Sequence, residues 1–272
     1  IYFLIFHFLI FSLIFFFKKK KLNNFLLINI SIFFAFYIME TILLFNKSLL
    51  TNTLKIEQIT KIKKEKSLSN GTFFDDTDYN VKFKELQKKY DLSHKFSWRA
   101  IKNEELKLAQ RRVKTTLFPL SGPINKNILS SNEDGIYKIL ELDKYGFKNT
   151  NLSYEKKIDI MVIGDSFVYS DTLPAANDVA GILRKDYSLN ALNFGLVGTS
   201  FLSHNAIFTE YAIKLKPKIV FLTYYEGNDL PELSYEKNVQ FLNQYLNGNN
   251  QNLIENTLLI NELISEYELL KL

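Results

Sequence analysis

The feature that most constrains the fold is a regular alternation of apolar strands and helices from residue 157 onward. Apolar runs typical of buried strands occupy 158–164 ("IDIMVIG"), 189–195 ("LNALNFG") and 217–225 ("PKIVFLTYY"), with helical patterns over 175–187 and 204–216 between them. Strand, helix, strand, helix, strand in such a short stretch predicts a parallel sheet with right-handed crossovers. The sequence therefore predicts an α/β domain.

Each of the three predicted strands ends in a cluster of small and polar residues. These clusters are "GDS" at 164–166, "GLVGTS" at 195–200 and "EGND" at 226–229. The carboxyl ends of parallel strands lie at one edge of a sheet, where ligands of such folds bind. The sequence thus predicts that the three clusters form a single functional site.

The residue types in these clusters suit acyl transfer. This reaction needs a nucleophile and hydrogen-bond donors that face the developing oxyanion. Ser166 is placed to be the nucleophile, while the Gly198 backbone N–H and the Asn228 side-chain amide are placed to be donors. Taken one at a time, the same residues also fit a turn serine, a tight-turn glycine and a helix cap. Their occurrence together at three consecutive strand ends favours the catalytic interpretation.

Three of these segments resemble a known family. "GDSF", "NFGLVGTS" and "EGNDL" are similar to the first three motif blocks of the SGNH (GDSL-type) hydrolase superfamily, and the wider stretch, including "DKYGFKN", looks like a membrane-anchored bacterial branch of it. The resemblance covers about residues 117–235. It implies a three-layer, flavodoxin-like fold, with Ser166 as nucleophile and with Gly198 and Asn228 in the oxyanion hole. One departure is Glu226, which replaces the glycine that usually leads the third block.

The base of that family is a histidine in an Asp-x-x-His block near the end of the domain, and the sequence has no histidine after His204. One such block, Asp91 to His94, precedes the nucleophile, and we interpret it as a cap or loop. His204 lies at the start of a predicted helix, where a partly exposed position is favoured over a catalytic one. We therefore expect the base to lie beyond Leu272 and the sheet to be incomplete at its C-terminal side.

The N-terminal region contains two apolar runs, 1–17 and 25–45, on either side of four lysines. About 20 apolar residues are enough to span a bilayer as a helix. The pattern predicts two transmembrane helices as a hairpin over 1–45, with the rest of the chain on the periplasmic or outer side under the positive-inside rule. A lysine-rich linker and irregular lead-in would follow over 46–116, and the hydrolase-like domain over 117–272.

The function implied by the resemblance is that of a serine-dependent hydrolase acting on ester bonds. Its substrate would be a small-molecule or glycan ester, such as an O-acylated envelope glycan, or a lipid. The alternatives are an O-acyltransferase of the same fold and a non-catalytic, membrane-tethered glycan-binding or assembly protein. The chain has no cysteine, no metal-ligand spacing and no phosphate-binding glycine loop, so we expect no cofactor or metal. Its net charge of +5 is modest, and the lysines cluster beside the apolar runs. We therefore expect a lipid bilayer as partner and no nucleic acid.

Overall fold

The computed structural model describes residues 31–32, 34–38, 42, 58–96 and 103–270. The chain divides into two compact units, Ile1–Glu65 and Lys66–Leu272. The described residues up to 42 are helical, as are residues 58–69. The elements that carry the candidate site all belong to the second unit.

The prediction of two transmembrane helices over 1–45 is wrong on the described residues. None of the helices they form is long and apolar enough to cross a membrane. Within the second apolar run, the described residues 31–32, 34–38 and 42 are helical. The first run, 1–17, lies outside the described residues. The predicted membrane location rested on these helices and is not supported.

The described part of the second unit is built from short strands and helices. Its strands are β1 (Leu92–Ser93), β2 (Asn127–Leu129), β3 (Ile139–Glu141), β4 (Ile160–Gly164), β5 (Ala191–Gly195) and β6 (Ile219–Leu222). Its α-helices are α1 (Tyr79–Tyr90), α2 (Asn103–Val113), α3 (Ser166–Tyr169), α4 (Val179–Tyr187), α5 (Phe201–Ile207), α6 (Ile213–Leu215), α7 (Asp229–Glu236), α8 (Gln240–Gln244) and α9 (Thr257–Leu269). A π-helical turn, Phe208–Ala212, joins α5 to α6, and Asn151–Glu155 and Tyr245–Asn247 are 3-10 helices.

The three strands predicted from the alternation form a parallel sheet. Its order is β5-β4-β6, so the first strand along the chain lies in the middle. Ile160 of β4 is in register with Ala191 on one side and with Ile219 on the other. This 2-1-3 order is the one with which flavodoxin-like doubly wound sheets begin. Among the described residues no strand follows β6, which forms one edge of the sheet.

Helices pack on both faces of β4 and β5, whereas three of the four residues of β6 are exposed. Ile160 and Val162 of β4 pack with Ala180 of α4 on one face. Met161 and Ile163, which alternate with them, pack on the other face in the main core, together with side chains from α2, α5 and α9. Since successive residues of a strand point to opposite faces, the continuous apolar run of β4 contributes side chains to the hydrophobic clusters on both faces of the sheet. The result is a three-layer α/β/α arrangement.

A second, smaller sheet lies next to the helix that carries Ser166. Its order is β1-β2-β3, with a parallel and an antiparallel pairing. Ile128 and Leu140 of this sheet pack against Tyr169, the last residue of α3. The segment predicted as linker and lead-in over 46–116 therefore contributes α1, α2 and β1 to the same compact unit.

Gly195 permits a close approach between α3 and the end of β5. A Cβ atom at this position would lie 2.2 Å from the Tyr169 backbone nitrogen and 2.7 Å from the Val168 carbonyl carbon. These are backbone atoms, which cannot move aside as a flexible side chain can. The glycine thus allows α3 to rest directly on the sheet, with Ser166 at its first turn.

We predict that Gly195→Ala destabilises the protein by about 2–3 kcal/mol, because the added methyl group overpacks a rigid contact. Gly248→Ala is the matched control. It has a φ of 78° and no atom within 4 Å of the added methyl group, so it should cost only the left-handed backbone penalty of about 1 kcal/mol. Thermal midpoints of the two variants measure the difference. Equal losses would show that the approach of α3 to β5 does not need a glycine.

Candidate active site

Three loops meet at the carboxyl edge of the parallel sheet. We call them the serine loop (164–166), the glycine loop (195–200) and the amide loop (223–229). Hydrogen bonds join each loop to the other two. They run from Leu196 N to Gly164 O (3.0 Å), from Asn228 Nδ2 to Asp165 Oδ2 (3.1 Å) and from Ser200 Oγ to Asp229 O (2.7 Å). The structure therefore brings together the loops that contain all three predicted site residues.

Asp165 links the serine loop to the amide loop. Its Oδ1 accepts a hydrogen bond from the Phe167 backbone N–H (2.9 Å), which caps α3. Its Oδ2 accepts the bond from Asn228. Since Asp165 is buried, both bonds are shielded from water and are stronger than exposed ones. The carboxylate thus fixes Ser166 at the first position of α3 and holds the Asn228 amide one residue away.

The groups that the reaction would use are not engaged by the described part of the protein. Within it, the Ser166 hydroxyl, the Ser166 N–H and the Gly198 N–H form no hydrogen bond. Gly198 has a φ of 77°, a conformation that favours glycine. Asn228 Nδ2 carries two hydrogens, so its bond to Asp165 leaves one N–H for another acceptor. One hydroxyl and three N–H groups are therefore available to a ligand.

Glu236 of α7 holds the glycine loop in place. Its buried carboxylate accepts hydrogen bonds from Ser200 N (2.7 Å), Leu202 N (2.8 Å) and Ser203 Oγ (2.6 Å). Burial raises the pKa of Glu236, and these hydrogen bonds oppose the rise. Because the carboxylate satisfies the first N–H groups of α5, that helix begins at Phe201, three residues before the start predicted from the sequence.

His204 is buried, and the prediction that it is partly exposed is wrong. Its exposed fraction is 3%, because the earlier start of α5 turns this position inward. Its Nε2 lies 3.2 Å from Thr199 Oγ1. Burial lowers the pKa of His204 to about 4, although the negative charge of Asp165 acts in the other direction and raises it. The imidazole is therefore neutral at pH 7, and it is not hydrogen-bonded to Ser166.

In the Asp91 to His94 block, Asp91 ends a helix and forms a surface ion pair, and His94 packs against an aromatic ring. Asp91 caps the end of α1, and its exposed carboxylate pairs with Lys126 at 2.6 Å. The His94 ring stacks on Phe83 with 4.0 Å between the ring centroids. His7, the third histidine of the sequence, lies outside the described residues.

Asp229 makes the loop hydrogen bonds that its position at a helix start suggested. Its Oδ2 accepts from the Tyr225 N–H (2.7 Å), which closes the amide loop. Burial raises the pKa of Asp229, and the negative charge of Asp165 adds to the rise. Asp229 therefore shapes the loop from which Asn228 extends.

Sequence reasoning missed the buried polar residues behind the site. Lys148 Nζ donates to the backbone oxygens of Ser170 (2.7 Å) and Leu173 (3.0 Å), just after α3, and lies 3.3 Å from Asp178 Oδ2. Asn193, in the middle of β5, donates to Val168 O in α3 (2.7 Å). An asparagine inside an apolar strand and the "DKYGFKN" segment were the available signals.

Searches of protein-family models, curated proteins and solved structures find no match to the chain. The similarity to SGNH hydrolases therefore rests on its motifs and stays a prediction. Among the described residues no group of three or more His, Asp or Glu side chains could hold a metal ion.

We predict that Glu236→Gln destabilises the protein by about 1–3 kcal/mol. The new NH2 group would face N–H donors of α5 that now bind a carboxylate oxygen. Glu262→Gln makes the same chemical change at an exposed position of α9 and should have little effect. Urea unfolding measures both variants, and similar stabilities would contradict the role assigned to Glu236.

The burial of His204 predicts a pH dependence of stability. Its pKa falls from 6.5 to about 4 on folding, so the unfolded chain binds more protons between these values. Stability should be lost as pH falls through this window, by on the order of 3 kcal/mol from this group. Urea unfolding at pH 7 and at pH 4 measures how much stability is lost between these two values, and His204→Gln should lose less than the wild type. Thr199→Val leaves the imidazole buried and should lose as much stability as the wild type. If His204→Gln also loses as much as the wild type, the assignment to His204 is refuted.

Proposed function

We propose that this protein is a serine-dependent hydrolase that acts on ester bonds. The observation that supports the proposal is the set of hydrogen bonds joining the serine, glycine and amide loops. These bonds gather the loops of Ser166, Gly198 and Asn228 at one sheet edge. Within the described residues the Ser166 hydroxyl and the N–H groups of Ser166 and Gly198 form no hydrogen bond, and Asn228 Nδ2 keeps one N–H beside its bond to Asp165. Preorganised donors of this kind are what stabilises the oxyanion in acyl transfer.

The proposed reaction has two steps. Ser166 Oγ attacks the ester carbonyl carbon, and the N–H groups of Ser166, Gly198 and Asn228 donate to the oxyanion. Collapse of this tetrahedral species breaks the bond to the leaving oxygen, which departs as the alcohol with the proton that a base took from Ser166 Oγ, and leaves an acyl group on Ser166. Water then attacks the acyl-enzyme, one of its protons returns to Ser166 Oγ, and the acid is released; a hydroxyl acceptor in place of water would make the enzyme a transferase.

A non-catalytic binding protein with the same fold is the second candidate. A base must take the Ser166 proton, yet within the described residues no side chain is hydrogen-bonded to Ser166 Oγ. His204, which lies in the same edge of the domain, is committed to Thr199. This observation favours a site that binds without reacting.

Hydrolysis of p-nitrophenyl acetate tests the proposal. Ser166→Ala should abolish turnover, because no other group can carry the acyl intermediate. Asn228→Ala should lower kcat by about 100- to 1000-fold, the usual effect of losing one oxyanion donor. Ser234→Ala, on α7, is the matched control and should be fully active.

Two results would overturn the hydrolase. Activity that survives Ser166→Ala would exclude this serine as the nucleophile. A folded protein that includes the expected downstream histidine and still shows no esterase activity would favour the binding protein instead.

A further inference from the structure

Ser200 occupies the N-cap position of α5, but its hydroxyl does not cap this helix. A serine at an N-cap ordinarily accepts a hydrogen bond from the second or third backbone N–H of its own helix. In α5 those N–H groups belong to Leu202 and Ser203, and both donate to Glu236 Oε2 instead, at 2.8 and 3.4 Å. A carboxylate from another helix therefore does the capping, and the Ser200 hydroxyl is left for a different partner.

The Ser200 hydroxyl connects two loops of the candidate site. It donates to the Asp229 backbone oxygen at 2.7 Å, and both residues are buried. A hydrogen bond that water does not reach is stronger than an exposed one. The Ser200 backbone N–H donates to Glu236 Oε1, also at 2.7 Å. Since α7 begins at Asp229 and ends at Glu236, Ser200 is bound to both ends of this helix.

The bond from Ser200 to Asp229 is the direct link between two candidate oxyanion donors. Gly198 lies two residues before Ser200 in the glycine loop, and Asn228 directly precedes Asp229 in the amide loop. A second route between these donors runs through the serine loop and needs two hydrogen bonds in series. Donors of an oxyanion hole must reach the same oxygen atom, so the distance between them has to be fixed in advance.

We propose that Ser200 is a positioning residue that sets the spacing of the Gly198 N–H and the Asn228 amide, and the catalytic part of this inference rests on the proposed function. Ser200 does not touch the substrate, because its hydroxyl is buried and donates to Asp229. It acts through the backbone, by holding the glycine loop against the first turn of α7. Without the hydroxyl, Asp229 O loses this donor in a region closed to water, and the glycine loop is held to α7 by Glu236 alone.

The first test measures p-nitrophenyl acetate hydrolysis with the same protein that tests the proposed function. Ser200→Ala should lower kcat by about 10- to 100-fold, because the donors remain but are displaced from the oxyanion. KM should stay within about 2-fold, since the lost contact acts in the transition state. Ser153→Ala is the matched control. Ser153 is also buried, and its hydroxyl makes one hydrogen bond, to Thr150 at 2.9 Å, in a 3-10 helix outside the three loops. It should keep the wild-type kcat.

The second test is NMR of the glycine N–H groups and needs no catalysis. The sequence has 10 glycines, of which only Gly198 follows a valine and only Gly227 follows a glutamate. Labelling of glycine nitrogen together with the carbonyl carbon of valine or glutamate therefore identifies both signals. Gly227 directly precedes Asn228 and reports on the amide loop, which is distant from Ser200 in the chain. Ser200→Ala should shift or broaden both signals, whereas Ser153→Ala should leave both as in the wild type.

The outcomes separate this inference from the hydrolase. If the protein has no esterase activity but Ser200→Ala perturbs the Gly198 and Gly227 signals, the hydrolase is removed and Ser200 remains the residue that spaces the two donors. If the wild type is active and Ser200→Ala keeps its kcat, the positioning role is overturned and the hydrolase remains. A Gly227 signal that Ser200→Ala leaves unchanged would also overturn the inference, even if kcat falls, because the amide loop would then not depend on the Ser200 hydroxyl.

Discussion

The buried ion pair between Lys148 and Asp178 is the interaction on which the candidate site depends. Both side chains are almost completely removed from solvent, and desolvation of two charges costs more than their attraction returns unless further hydrogen bonds satisfy them. Lys148 satisfies its other hydrogens with two backbone oxygens of the segment after α3, and Asp178 caps α4 through Gly181 N (2.8 Å). The pair therefore fixes both ends of the connection from α3 to α4, and with it the helix that begins at Ser166. Removal of one partner would leave an uncompensated buried charge.

The same buried network extends to the second strand of the sheet. Asn193 Nδ2 donates to Asp178 Oδ2 (2.9 Å), and its backbone pairs with the side chain of Asn149, which accepts from Asn193 N (2.7 Å) and donates to Asn193 O (2.9 Å). The Asn149 amide thus replaces one residue of a neighbouring strand at the open edge of β5. This contact protects an edge that would otherwise present unpaired groups. It also explains structurally why Lys148 and Asn149 lie together in the "DKYGFKN" segment: one holds α3 and the other holds β5.

The sequence predicts well where the determinants are local. β4 and β5 were recognised because strands buried on both faces are largely apolar, with Asn193 as the exception in β5, and their polar ends follow directly in the chain. The features that the sequence did not predict depend on contacts between residues far apart in the chain. The start of α5 and the burial of His204 depend on Glu236, which is 36 residues from Ser200, and a buried lysine contradicts the ordinary exposure of that residue type. The transmembrane prediction used hydropathy over 1–45 alone, and none of the helices formed by the described residues is long and apolar enough to cross a membrane.

The three loops of the candidate site differ in character between the side that faces the protein interior and the side that faces solvent. Their inner sides contact buried carboxylates, Asp165 of the serine loop and Glu236 of α7, which accept N–H donors and so restrict the backbone. Their outer sides carry exposed aromatic side chains, Phe167, Phe201, Tyr224 and Tyr225. Rigid donors suit stabilisation of a charge that appears only in the transition state, because no reorganisation is needed when it forms. Exposed rings suit a partner that must arrive and leave. Asp165 connects the two sides, since its carboxylate accepts from the Phe167 N–H and from Asn228 Nδ2, so the first turn of α3 and the Asn228 amide are held by one side chain. In the proposed reaction, the inner residues would hold the candidate oxyanion donors in place while Ser166 attacks.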